Sequence, residues 1–179
     1  MRLLNCALSI IVCINLWSCK SAKNKETLAQ NEAFKKIVNS KNFRIESDWA
    51  YPQTTNAMQQ VLNTGILGPG NNAGSISLIG NSNFLEISGD SVRSYLPYFG
   101  ERQMHVGYSN RDSAIELQGL MTDYHVSEQR KGGFDIRFEA QGASSERYNV
   151  TIRLFTDLST NLLITSTSRF PISYRGLAQ

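Results

Sequence analysis

From Phe43 onward the hydropathy of this chain repeats every two residues, and that period demands strands rather than helices. In Phe134-Asp135-Ile136-Arg137-Phe138-Glu139-Ala140 every second side chain is apolar and the residues between are charged. Phe43, Ile45, Ser47 and Trp49 alternate in the same way with Arg44, Glu46 and Asp48, as do Tyr148, Val150, Ile152 and Leu154 with their polar neighbours. Each segment reads as a strand with one buried face, so Trp49 is expected on the buried side. Arg130-Lys131-Gly132-Gly133 joins two such strands as a hairpin, and Asp157 to Asn161 turns another into Leu162, Ile164 and Ser166. Further strands are expected over residues 75–79, 83–88, 91–96, 114–120 and 124–129, with a last one through Phe170, Ile172 and Tyr174. Pro52 ends the first strand, residues 54–63 fit a short helix or a strand equally, and residues 65–74, rich in Gly, Pro and Asn, read as a loop.

Ahead of the strands, Ala29, Ala33, Phe34, Ile37 and Val38 recur at helical spacings with Glu32, Lys35 and Lys36 between them. This predicts an amphipathic helix over residues 26–40. About nine short strands joined by tight turns, with no helix between them, give a mainly β fold. The expectation is an antiparallel meander forming a barrel-like or two-sheet domain, with that one N-terminal helix. It is assigned to residues 28–179 as a single domain, a length sufficient for one such core.

Arg2 precedes an apolar run, residues 3–16, broken by Asn5, Ser9 and Asn15. The run is too short and too polar for a permanent span, so residues 1–18 read as a cleaved signal peptide. Leu16-Trp17-Ser18-Cys19 resembles the lipobox of bacterial lipoproteins, with leucine three residues before the cysteine and a small residue just before it; Trp17 is bulkier than the usual occupant. Cys19 is therefore the expected lipid attachment site, and residues 19–27 form a polar tether. Of three cysteines, Cys6 and Cys13 leave with the leader, so no thiol pair remains for a disulfide. Several acyl chains at about 0.8 kcal/mol per buried methylene give stable membrane anchoring. Without Arg2 the 18 Lys and Arg become 17 against 15 Asp and Glu, a balance that argues against nucleic acid as a partner.

Tyr95, Tyr98 and Phe99 gather aromatics around Pro97 at a strand exit, a candidate surface for an apolar ligand or a partner, with core packing as the competing reading. Gly89 and Asp90 fit a tight turn, and Pro97 and Gly100 a strand end. His105 and His125, the only histidines, lack cysteines or paired carboxylates to complete a metal site. No Gly-x-Ser-x-Gly elbow orders a triad, and the glycines of residues 65–74 lack a phosphate-loop lysine. No catalytic residue, metal or cofactor is expected.

Read together, Ser88-Gly89-Asp90-Ser91-Val92-Arg93-Ser94-Tyr95-Leu96-Pro97-Tyr98-Phe99-Gly100 resembles the hallmark of a family of envelope lipoproteins known mainly from Bacteroidetes, domain of unknown function 4251. The resemblance continues through Asp123-Tyr124-His125-Val126, Lys131-Gly132-Gly133 and the closing Arg169-Phe170-Pro171-Ile172-Ser173-Tyr174-Arg175-Gly176. It covers nearly all of the chain from the helix onward, and departs in a longer stretch between Tyr51 and Ser82. The family has no assigned activity, so the resemblance implies location and fold type and transfers no catalytic residues. Asp90-Ser91-Val92 and Asp112-Ser113-Ala114 resemble the tripeptide that carries O-linked glycans in this phylum, which makes Ser91 and Ser113 candidate attachment sites. Lys20 lacks the aspartate of an inner-membrane retention signal, and no acidic run resembling a surface-export signal follows. The expectation is an outer-membrane lipoprotein facing the periplasm, non-enzymatic, binding an apolar small molecule or a partner protein. A structural or assembly subunit is the alternative, marked by an exposed β edge without an internal cavity. A hydrolase of envelope polymers would need convergent carboxylates, and the spacing of Asp90, Glu101 and Asp112 pairs none.

Overall fold

The computed structural model describes residues 32, 34–56, 59–60, 64, 70–103, 113–130, 132–142 and 146–179. The leader, Cys19, His105 and Asp112 lie outside the described residues. The chain divides into Met1–Lys36 and Ile37–Gln179, and the architecture below is that of the second unit. Residues 34–40 are helical. Ser40 closes that turn by donating its hydroxyl to the Ile37 carbonyl at 2.8 Å, and Lys41, at φ 48°, redirects the chain into the first strand.

Eleven strands follow: β1 (Asn42–Pro52), β2 (Ile76–Ser77), β3 (Phe84–Ser88), β4 (Ser91–Pro97), β5 (Ala114–Ile115), β6 (Gln118–Leu120), β7 (Thr122–Glu128), β8 (Phe134–Gln141), β9 (Arg147–Leu154), β10 (Ser159–Ser166) and β11 (Ile172–Ala178). All belong to one antiparallel sheet in the order β5-β4-β3-β1-β11-β10-β9-β8-β7, with β2 beside β1 and β6 beside β4. The fold is mainly β, as the period requires, and its strands form one antiparallel sheet that is not a closed barrel. The last strand begins at Ile172 rather than Phe170 and occupies the middle of the sheet, between β1 and β10. Gln179 extends this pairing by exchanging backbone bonds with Arg44 at 3.1 and 2.7 Å.

One face of the sheet is the core. Ile136, Ile152, Leu162, Tyr174, Ala50 and Ile76 are successive cross-strand partners from β8 to β2, and none is more than 3% exposed. Phe138, Val150, Ile164 and Ile172 form a parallel row at 2% or less. Asp135, Arg137, Arg153, Asn161 and Arg175 occupy the opposite, outer face, as their alternation with these core residues requires.

Two polar side chains repair gaps in the ladder. Between the β2 and β3 pairings, Asn83 stands in for backbone against β1: its Oδ1 accepts the Ser47 N–H at 2.8 Å and its Nδ2 donates to the Ser47 carbonyl at 2.9 Å. Residues 114–120, expected as one strand, break into β5 and β6 along β4. Ser94 spans that break, donating to the Ile115 carbonyl and accepting the Leu117 N–H, both at 3.0 Å. A buried backbone group left unpaired costs more than most hydrogen bonds contribute, which accounts for Asn83 and Ser94 being themselves buried.

Trp49 corrects the alternation. The β1–β11 register shifts between Ser47 and Trp49, pairing Ser47 with Gly176 and Trp49 with Arg175. Asp48 is the extra residue of this bulge, which reverses the faces beyond it. Ala50 and Pro52 point into the core, while Trp49 and Tyr51 lie on the outer face, half-buried. Gly176 permits the close approach: a Cβ there would run into the Glu46 carbonyl and the Ser47 Cα.

Between β6 and β7 only Met121 intervenes, so the chain passes directly from pairing with β4 to pairing with β8. Asp123, at φ 51°, and a register shift between Thr122 and His125 mark the bend. Along β7 every residue but the half-buried Tyr124 is exposed.

Candidate functional site

The hallmark segment is built around the β3–β4 turn. Gly89, at φ 60°, donates its N–H to the Lys41 carbonyl at 2.8 Å. The Asp90 carboxylate takes the Lys41 ammonium at 2.8 Å, and the Asp90 carbonyl accepts the Met121 N–H at 2.8 Å. The turn therefore ties the start of β1 to the corner between β6 and β7. Lys41 also lies 4.5 Å from the ring centroid of Tyr124, which stacks on Phe138 at 6.3 Å. The Tyr124 phenol is buried with no hydrogen-bond partner, and burial raises its pKa.

The expected aromatic trio does not form one surface. Alternation along β4 sends Val92, Ser94 and Leu96 into the core and leaves Tyr95 on the outer face, 41% exposed. Tyr98 is buried at 9% and Phe99 is intermediate. The core reading of Tyr98 is the right one. Its hydroxyl lies 2.8 Å from the Glu101 carbonyl and 3.0 Å from the Phe170 carbonyl, and the Arg169 guanidinium sits 4.9 Å from its ring centroid. Burial, only partly offset by Arg169, pushes this phenol up to about 12. Gly100 belongs to the same packing, because a Cβ there would collide with the Tyr98 hydroxyl end. The Pro97 carbonyl accepts the Tyr174 hydroxyl at 2.8 Å.

Arg169 completes a buried cluster whose other members the sequence did not single out. It is 4% exposed, and its Nε lies 3.2 Å from Glu146 Oε2. Tyr148 donates to the same oxygen at 2.6 Å. Glu146 Oε1 accepts the Ser166 hydroxyl at 2.6 Å and the Ser168 hydroxyl as well. Burial alone would raise the Glu146 pKa, but the three hydroxyls and Arg169 together hold it below the usual carboxylate value. Tyr148 is pushed up by burial and by its bond to Glu146. Both carboxylate oxygens are occupied, so the cluster works as a clamp joining the β8–β9 connection, the β10–β11 connection and the exit of β4. No sequence spacing could have found it, because Glu146 meets Arg169 only through the sheet register.

The remaining candidates stand apart. Ser91 is partly buried within the ladder, paired with Ser88 and Leu120, whereas Ser113 is exposed and its carbonyl accepts the Tyr98 N–H at 2.9 Å. His125 is exposed on β7. Asp90 is bound to Lys41 and Glu101 accepts the Thr55 hydroxyl, so these carboxylates do not converge. Among the described residues no group of three His, Cys, Asp or Glu could hold a metal. A cleft of about 350 Å³ opens beside Asn83, lined by Arg44, Glu46, Asp48, Asn81 and Ser82, and is polar rather than apolar.

Among the described strands, β7 ends the sheet opposite β5 and pairs with β8 alone. The Gln129 N–H donates to the Gly133 carbonyl at 2.9 Å, which fixes the phase of the hairpin. Backbone groups of Ser127 and His125 then face β8 and those of Val126 face away. Val126 is 42% exposed.

A family model described as Domain of unknown function (DUF4251) matches residues 25–178. Among solved structures, the chain is similar to a DUF4251 family protein from Bacteroides eggerthii DSM 20697, with 11% identity and a TM-score of 0.54, over 84% of this chain and 87% of that one. At that identity the likeness speaks for the fold alone. No curated protein matches the sequence.

Proposed function

The chain belongs to the DUF4251 family, and from that premise we propose that it is a lipid-anchored envelope protein, non-catalytic, that takes a strand of a partner protein along β7. The observation that carries this reading is the edge itself. β7 pairs with β8 alone among the described strands, is exposed on both faces, and turns the Val126 backbone groups outward. An added strand would satisfy those groups by main-chain bonding, with alternate side chains setting specificity. Binding of an apolar small molecule draws less support, because the inner rows are filled by their own side chains and the cleft beside Asn83 is polar. The anchor is Cys19 and the compartment the periplasmic side of the outer membrane, as the leader pattern suggests.

Two experiments separate these parts. A photoreactive residue at Val126, in the acylated protein within intact envelopes, should give one discrete protein adduct, and the same residue at Thr151 on a central strand should not. No adduct from Val126, or equal adducts from both, overturns edge docking. Cys19→Ser should abolish incorporation of labelled fatty acid and release the protein from the membrane fraction; a variant that still fractionates with membranes rules out the anchor.

A further inference from the structure

Where β2 stops pairing with β1 and β3 has not yet begun, residues 78–83 carry the chain along the side of β1 and leave a cleft between. Backbone bonds fix this segment. The Leu78 N–H donates to the Asp48 carbonyl at 2.8 Å, the Asn81 N–H to the Leu78 carbonyl at 2.9 Å, and Asn83 Nδ2 to the Asn81 carbonyl at 3.1 Å, beside the Asn83 bonds to Ser47. Gly80, at φ 87°, makes the turn. The cleft, of about 350 Å³, is thus preformed and falls in the about 300–1,000 Å³ range of small-molecule sites, and a preformed wall lowers the cost of ordering on binding.

The walls use backbone and Asn83 to hold themselves, which leaves the tips of other side chains for a ligand. Asp48, Asn81 and Ser82 are exposed, and among the described residues their side chains have no protein partner. Arg44 bonds Glu46 through Nε at 3.1 Å and lies 4.3 Å from the Phe84 ring centroid, contacts that hold the guanidinium while its terminal nitrogens remain as donors. The lining therefore offers carboxylate and amide oxygens as acceptors, guanidinium and amide N–H groups as donors, and one hydroxyl that is both. Ile79, 73% exposed, adds an aliphatic surface beside them.

Charge narrows the occupant. Glu46 and Asp48 outnumber Arg44 in the cleft, and Glu86 stands between Arg44 and Arg93 in the register, so an anion would meet an excess of carboxylate. A metal ion would find no third His, Cys, Asp or Glu among the described residues. An apolar molecule would leave the polar lining desolvated and unpaired. A neutral molecule dense in hydroxyls answers donors and acceptors alike, and an acetamido group adds an amide to pair with Asn81 and a methyl to rest on Ile79.

We propose that this cleft binds a neutral acetamido sugar, with Arg44, Asp48, Asn81 and Ser82 bonding its hydroxyl and amide groups and Ile79 covering its acetyl methyl. This inference is independent of edge docking and of acylation.

The full chain, purified in a sugar-free detergent, is mixed with N,N′-diacetylchitobiose and followed by saturation-transfer difference NMR. The acetyl methyl should receive the strongest saturation, with a dissociation constant of about 1 mM or tighter. The double variant Asp48→Ala, Asn81→Ala leaves the backbone bonds of residues 78–83 in place, so it should weaken binding at least about tenfold at unchanged Tm. Co-sedimentation with colloidal chitin as well would support a sugar within a polymer, and disaccharide binding without it would support a free sugar or a chain end. No saturation transfer, parental binding by the double variant, or equal binding of maltose, which lacks acetamido groups, overturns the proposal. Tighter binding of deacetylated chitobiose would assign the cleft to ammonium groups and overturn it as well. The disaccharide offers no strand to β7, so failure here leaves the edge reading standing.

Discussion

Arg169 holds a full charge at 4% exposure because Glu146 and the Tyr98 ring replace the water it has lost. Removing one partner of such a pair leaves the other buried and uncompensated, so Arg169→Leu should destabilise the domain by about 3–5 kcal/mol in urea unfolding. The double variant Arg169→Leu, Glu146→Gln should recover part of that loss, and a double no better than the single would mean that the pair is not coupled. The Glu146 pKa is depressed in the fold, so its contribution is fully present above the ordinary carboxylate value and is lost as pH falls through the lower, folded value. Tm of the parent should therefore drop more steeply than that of Glu146→Gln on acidification below about pH 4.5. Residue identity was legible where a single position states its own chemistry, as Gly89 does at φ 60°, whereas Gly100 is glycine because the Tyr98 hydroxyl end packs against it rather than to turn the chain. It was not legible for Glu146 or Asn83, whose roles depend on which strands the register brings alongside them.

Strand alternation separates the two faces of β8 and β9 cleanly. Phe138→Ala or Ile152→Ala should cost about 2–5 kcal/mol through the cavity each leaves, while Arg137→Ala and Arg153→Ala should stay within about 0.5–1 kcal/mol. Thermal or urea unfolding of the four variants checks this, and equal losses on the two faces would contradict the assignment. The same reasoning misplaced Trp49, because a bulge is a property of a pair of strands and its partner, Gly176, lies at the far end of the chain. Gly176→Ala should destabilise near the top of the roughly 1–3 kcal/mol range for overpacking, since the new methyl meets backbone that cannot rotate away. Likewise, residues 114–120 read as a single strand because nothing local reveals that Ser94 interrupts their ladder.

At the scale of the whole molecule, the mainly β class and the order of turns were legible from period alone, whereas the path of the sheet was not. Neighbours in sequence pair along most of the ladder, but β1 joins β11, and no local pattern states that closure. Contacts of such long sequence separation place folding in the slow, millisecond-to-second regime of β proteins. Deleting residues 172–179 should abolish cooperative unfolding, and a synthetic peptide of residues 171–179 should restore it in trans; a truncated chain that still melts cooperatively would show that β11 is dispensable.

Because the strand at the centre of the sheet follows the ten others in the chain, a growing polypeptide cannot finish this fold from its beginning. Until Ile172–Ala178 emerges, β1 and β10 each carry an open edge with no neighbour to fill it. The arrangement makes completion of the sheet wait on synthesis: the two halves that flank β11 join only once that strand, which follows both of its neighbours in the chain, has been made.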